Sequence, residues 1–229
     1  MSGSIVAHGG GELDRETQRR FAELCGHGDL VLVPTAHHDS DRPSFGQRFR
    51  ELWMPVGFDS ISLVHARDRA EARRRPLVKR VRDADCVWFG GGAQGRLMRR
   101  YVGTPVQDEL RALLARGGVV GGFSAGTAVL TDVMIHYGNP IPVEGRGLDL
   151  LPGVILDQHF VSHRREPRLR SMLERHPELI GFGIDERTSL VISRGRFEIL
   201  GESLVRRCTH SGCTDLLPGA SGVFPGVTP

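Results

Sequence analysis

Ser124 sits in Gly122-Phe123-Ser124-Ala125-Gly126, a G-x-S-x-G pentamer. A serine hydroxyl is a poor nucleophile at neutral pH and needs a base within hydrogen-bond reach, which in turn needs an acid to fix its tautomer. Gly117 and Gly118 end the preceding helix, Val119 and Val120 read as a short buried strand, and Ala125 to Met134 reads as helix. The pentamer is therefore expected at a strand-turn-helix elbow, with the hydroxyl projected at the carboxyl end of a sheet above helix amides that favour developing negative charge. Serine on so sharp a turn is strained, and flanking glycines relieve the crowding. An ordinary βα turn in a chain with 30 glycines could spell the same pentamer. The partner residues have to decide.

Among the ten histidines, His159 follows the apolar run Val154-Ile155-Leu156 directly after Asp157 and Gln158. His8, His65 and His136 also lie near element ends and stay in contention. For the acid, Glu186 is the best candidate because it follows another strand end, after Gly181-Phe182-Gly183-Ile184; its neighbour Asp185 is the rival, and spacing alone does not separate them. The order Ser, His, acid differs from the Ser, acid, His order of α/β-hydrolases, so a different sheet topology is implied. Gly90-Gly91-Gly92 closes the strand Asp85 to Phe89 and exposes backbone amides, a natural place for an oxyanion donor.

These residues must be carried by alternating apolar runs and amphipathic helices, the pattern of parallel strands with crossover helices. Strands are expected at Ile5 to His8, Leu30 to Val33, Ile61 to His65 and Asp85 to Phe89, with the elbow strand fifth. Helices are expected over Asp14 to Leu24, Ser44 to Trp53, Pro76 to Arg82, Leu97 to Tyr101, Gln107 to Ala115 and Pro167 to His176. The stretch Tyr137 to Gly147, with Pro140 and Pro142, reads as a loop bordering the site. Leu190 to Ser193 and Arg196 to Leu200 form a hairpin around Arg194-Gly195. The fold class is α/β, a mostly parallel sheet with helices on both faces and a C-terminal β-hairpin. Residues 1–207 form one domain, and 208–229 a Gly/Pro-rich tail expected to be poorly ordered.

The chain has 229 residues, 39% apolar and 25% charged, enough to bury a sizeable core. The net charge is +3 and Lys79 is the only lysine. Its arginines are scattered and balanced by acids, which argues against nucleic acid as a partner. The opening residues have neither a basic leader nor a long apolar core, so no membrane span and a cytoplasmic location are expected. On that ground Cys25, Cys86, Cys208 and Cys213 are expected to be reduced thiols. Cys208, His210 and Cys213 lack a fourth ligand, and no metal or cofactor is expected.

Seven segments, taken in order, resemble the S51 peptidase family, which holds cyanophycinases and aspartyl dipeptidases on a fold similar to class I glutamine amidotransferases. They are Gly9-Gly10-Gly11-Glu12, Pro34-Thr35-Ala36, Phe89-Gly90-Gly91-Gly92-Ala93-Gln94, Gly122-Phe123-Ser124-Ala125-Gly126, Gly147-Leu148-Asp149-Leu150-Leu151-Pro152, Asp157-Gln158-His159-Phe160 and Gly183-Ile184-Asp185-Glu186. The resemblance implies a serine exopeptidase with Ser124 as nucleophile, His159 as base and Glu186 as acid. It implies an oxyanion hole from the amides of Gly92 and Ala125, and a substrate pocket containing Gln94, Asp157 and Gln158. Arg165 and Arg168 match an arginine cluster of members that take β-aspartyl-arginine chains, while His163 stands where the first arginine would be. The segment between Ser124 and His159 also looks shorter than in typical cyanophycinases. The implied substrate is a small acidic peptide or an aspartyl-containing polymer, cut at a β-aspartyl bond, and the implied assembly a homodimer. An α-aspartyl dipeptidase, or an amidase or esterase with the same triad, is the alternative.

Overall fold

The computed structural model describes residues 2–225. Its frame is an eight-stranded sheet in the order β14-β11-β10-β1-β5-β4-β2-β3. Five of these strands run parallel: β1 (Ser4–His8), β2 (Asp29–Val33), β3 (Ser60–Leu63), β4 (Cys86–Phe89) and β5 (Val119–Phe123). The other three add antiparallel: β10 (Thr188–Ser193), β11 (Arg196–Gly201) and β14 (Ser221–Val223). The hairpin expected around Arg194-Gly195 is β10 and β11. A second sheet, β13-β12-β9-β8, contains β8 (Val154–Gln158), β9 (Ile180–Ile184), β12 (Val205–Thr209) and β13 (Gly212–Leu216).

Alternation along the strands decides which side each residue packs on. In β1, Ile5 and Ala7 join one core while Val6 joins the other, and in β4 Val87 and Phe89 divide in the same way from Cys86 and Trp88. Helices α1 (Arg15–Cys25) and α2 (Pro43–Glu51) cover the face of Trp53 and Trp88 through Phe21 and Phe49. Helices α3 (Arg75–Asp83) and α5 (Pro105–Ala115) cover the opposite face through Val81, Leu110 and Leu113. Helix α4 (Gln94–Tyr101) follows the glycine strap after β4, and α7 (Glu166–Arg175) packs Leu169 and Met172 on the outer side of β8.

Three expectations are corrected. The helix after the elbow, α6, spans only Ala125–Ala128, and β6 (Val133–Tyr137) follows it. Val133 and Ile135 are β-branched and suit an extended chain, which pairs with β7 (Val143–Arg146) inside the stretch expected to be loop. Pro140 and Pro142 fall in the connection between these two strands, where no ladder donor is needed. The C-terminal stretch carries β13 and β14, and the boundary expected after residue 207 falls inside β12. Phe224 is buried, stacked on Phe182 at 5.4 Å between ring centres, so one aromatic anchors a segment whose composition reads as loose. Residues 226–229 of the expected tail lie outside the described residues.

The cysteines are the third correction. Cys25 bonds to Cys86, and Cys208 to Cys213. The first pair joins the end of α1 to the start of β4, and the second lies directly across the β12 and β13 ladder. Thiols were expected from the inferred compartment, whereas the fold brings the Cα atoms to 5.8 and 4.1 Å. Among the described residues no helix is long and apolar enough to cross a membrane.

Candidate active site

Ser124 follows β5 with φ 53° and ψ −109°, a region that a residue with a Cβ occupies only when its surroundings enforce it. The enforcing contacts are hydrogen bonds to backbone carbonyls. Ser124 N donates to His8 O at 3.0 Å, and Thr127 Oγ1 lies 2.7 Å from both His8 O and Gly122 O, between which its one proton is shared. A Cβ on Gly122 would lie 2.3 Å from the Gly126 backbone, which is why the pentamer needs glycine there. With one turn of helix behind it, the elbow supplies local amides rather than a long macrodipole.

The hydroxyl meets His159. Ser124 Oγ and His159 Nε2 are 2.8 Å apart, and His159 Nδ1 is 2.6 Å from Glu186 Oε1. His159 follows β8 and Glu186 follows β9, so their parallel pairing sets the two loops side by side. Glycines steer the ring. Gly9 O accepts from His159 N at 2.8 Å, and a Cβ on Gly10, whose φ is +115°, would lie 2.2 Å from His159 Cε1. Burial lowers the His159 pKa below the usual histidine value, with Arg165 and His163 acting in the same direction against the bond to Glu186. The ring is therefore neutral at pH 7 and able to accept a proton.

Asp185, the rival acid, is committed elsewhere. It accepts from the amides of Val161 and Ser162 at 3.0 and 2.9 Å and from the hydroxyls of Ser162 and Ser203. It ties down the loop that carries His159. Of the other histidines, His8 is fully buried, stacks on Phe123 at 5.0 Å and accepts from Gly10 N at 3.0 Å.

A pocket of about 430 Å³ opens at Ser124 and His159 and is lined by Gln94, Gln158, His163, Arg165 and Arg168. Arg165 Nη1 donates to Gln158 O at 2.5 Å and to Gln158 Oε1, and Arg165 Nη2 lies 3.2 Å from His163 Nδ1. His163 stacks on His159 at 4.8 Å. Gln94 Nε2 donates to the carbonyls of Ile135 and His136, which fixes its amide against β6. Arg168 and Asp157 differ from the rest. They are 3% and 1% exposed, Arg168 Nε and Nη2 both donate to the Asp157 carboxylate, and Nη1 donates to Gly138 O at 3.0 Å. Each satisfies the other in the pocket wall, a pairing that no spacing in the sequence announces.

Gly92 takes φ +136°, and a Cβ there would lie 2.3 Å from Ala36 O. Its amide, which lines the same pocket, has no protein acceptor among the described residues. The Ala125 amide is the first of α6, so helix geometry leaves it without an intrahelical partner. Among the described residues, two groups bring three metal-type ligand atoms within 4.8 Å: His37, His38 and Asp39, and His159, His163 and Glu186. In the second group, His159 and Glu186 are already bonded to each other.

Residues 2–200 match peptidase family S51. The chain is 31% identical to a cyanophycinase from Synechococcus elongatus over 89% of its own length and 67% of that protein. It is 24% identical to peptidase E of a Nostoc species over 77% of this chain and 74% of the relative. A crystal structure of a peptidase from an acI-B1 Actinobacterium shares the fold with TM-score 0.80 at 23% identity, covering 97% of each chain. A fold expected from seven short segments, a pocket around the elbow serine and a match over nearly the whole chain agree: the protein belongs to peptidase family S51 and is a serine-type peptidase.

Proposed function

We propose that the protein is an exopeptidase cleaving aspartyl bonds, β-linked by preference, through Ser124, His159 and Glu186. The observation that carries this reading is the continuous hydrogen-bonded line from Ser124 Oγ through both nitrogens of His159 to Glu186, at 2.8 and 2.6 Å, at the mouth of a pocket holding Arg165. Ser124 Oγ attacks the amide carbonyl while His159 Nε2 takes its proton. Glu186 stabilises the imidazolium, and the carbonyl oxygen, now negative, receives the amides of Gly92 and Ala125. His159 returns the proton to the leaving amine. Water, deprotonated by the same ring, then releases the aspartyl group.

Arg165 is the cation for the substrate carboxylate, because its planar fork suits bidentate binding and the nearest carboxylate, Asp157 at 3.8 Å, is already paired with Arg168. Gln94 and Gln158 border the same space. The test is amine release from β-aspartyl and α-aspartyl dipeptides and from cyanophycin side by side, with Ser124→Ala as the blank. Serine-dependent release from β-linked substrates is expected, and release from α-linked dipeptides alone would overturn the linkage.

The acid limb of kcat/KM is expected below pH 6.5, because His159 must be neutral to act as base and its pKa lies below that usual value. Activity is lost as pH falls through the lowered value. Arg165→Gln removes a neighbouring positive charge and is expected to move the limb's midpoint upward, whatever it does to KM. Gly10→Ala is expected to displace the His159 ring and lower kcat/KM by about 100-fold or more, since its new Cβ would overlap the ring. Wild-type kcat/KM in Gly10→Ala would contradict the ring placement.

A further inference from the structure

A second and larger cleft, about 760 Å³, meets the polar pocket at Gly92, Ser124 and His159. Its character is the opposite. Phe45, Phe49, Leu52, Pro55, Trp88 and Phe123 line it. Phe45 and Phe49 are four residues apart on α2, so both rings fall on one helix face. They continue a stack in which His37 lies 4.0 Å from Phe45 at 11°, and Phe45 lies 6.2 Å from Phe49 at 15°.

The glycine strap makes room for these rings. A Cβ on Gly90 would sit 3.0 Å from Phe49 Cζ, and one on Gly91 would sit 2.8 Å from Phe123 Cδ1. The strap that carries the Gly92 amide therefore also lets two aromatic rings approach the elbow. Of the charged lining residues Glu12, Arg15 and Glu51, all exposed, Arg15 has no ion-pair partner among the described residues. Glu12 faces Arg187 at 3.8 Å, and Glu51 accepts from Gln47 at 3.0 Å. Burial lowers the His37 pKa, so this end of the stack is neutral at pH 7.

We propose that this cleft binds the residue on the amine side of the scissile bond and selects an apolar or aromatic side chain there. The inference rests on the aspartyl-peptidase reading above: if the polar pocket holds the acyl part with its carboxylate at Arg165, the cleft that shares Ser124 and His159 receives the leaving part. An arginine side chain would bring its guanidinium toward Arg15, a like charge on the lining with no ion-pair partner among the described residues. A phenylalanine or leucine would remove its own apolar surface and that of Phe45 and Phe49 from water.

The experiment is kcat/KM for β-aspartyl dipeptides that differ only in the second residue: glycine, leucine, phenylalanine and arginine. Phenylalanine and leucine are expected to exceed glycine by about ten- to a hundredfold, with arginine below both. In Phe49→Ala the ratio of phenylalanine to glycine is expected to collapse several-fold, whereas a general loss of folding would lower both rates and leave the ratio. Equal rates for all four, or arginine ahead of phenylalanine, would overturn the subsite.

If no aspartyl dipeptide is cut, the acyl-side reading fails, and the subsite is tested separately. Labelling of Ser124 by a small fluorophosphonate is followed with free phenylalanine or free arginine as competitor. Stronger protection by phenylalanine, reduced in Phe49→Ala, supports the subsite alone. Equal protection, or none by either, overturns it.

Discussion

Ser124→Ala is expected to lower kcat/KM on an aspartyl dipeptide by about 10⁴-fold or more. The whole reaction is routed through one oxygen, and the fold gives that oxygen a single base at 2.8 Å. Residual turnover within a few-fold of wild type would sink the assignment of the nucleophile. Stability separates alanine from glycine at the same position. Alanine keeps a Cβ at φ 53°, while glycine adopts that backbone without steric cost, so Ser124→Gly is expected to be inactive yet more stable than Ser124→Ala by about 1 kcal/mol. Denaturant midpoints of the two inactive variants check this. A gap of the opposite sign would mean that the elbow stores no strain.

The second large effect is on stability. Arg168→Ala leaves the Asp157 carboxylate in a site where it is 1% exposed, with its main counter-ion gone. Breaking a buried pair by removing one partner costs about 3–5 kcal/mol, or very roughly 6–20 °C in Tm for a chain of this size. Arg165 Nη1, 3.8 Å from Asp157 Oδ1, is too far to replace both lost hydrogen bonds. The double variant Asp157→Leu with Arg168→Met is expected to recover much of the loss, because no charge is left behind. Thermal unfolding of the three variants decides. If Arg168→Ala instead raised KM at unchanged Tm, Arg168 would be the substrate clamp that its place in the sequence suggests.

That contrast marks where the sequence stops being legible. The elbow, the strand-end position of His159 and the glycine strap could be read because local rules place them: strained turns take glycine, and parallel sheets put polar residues at carboxyl ends. Asp185 is adjacent to Glu186 and spacing alone does not dismiss it; what sets it apart is a loop more than twenty residues earlier whose amides it accepts. Arg168 and Asp157 look like pocket residues through the family resemblance, Asp157 beside His159 and Arg168 in the arginine cluster. Their mutual burial is a tertiary fact. Cys25 and Cys86 are 61 residues apart, and only the packing of α1 against β4 brings them together. The short α6 escaped for a related reason. A run without glycine or proline favours helix locally, while β7 offered Val133 to Tyr137 a partner in the sheet.

Ser124 belongs to the eight-stranded sheet, whereas His159 and Glu186 hang from the four-stranded one. The working geometry thus spans two sheets that share one hydrophobic core, and turnover reports their alignment more sensitively than backbone content does. In rising denaturant, activity is expected to fade before far-ultraviolet ellipticity does, as the smaller sheet loosens while the parallel frame persists.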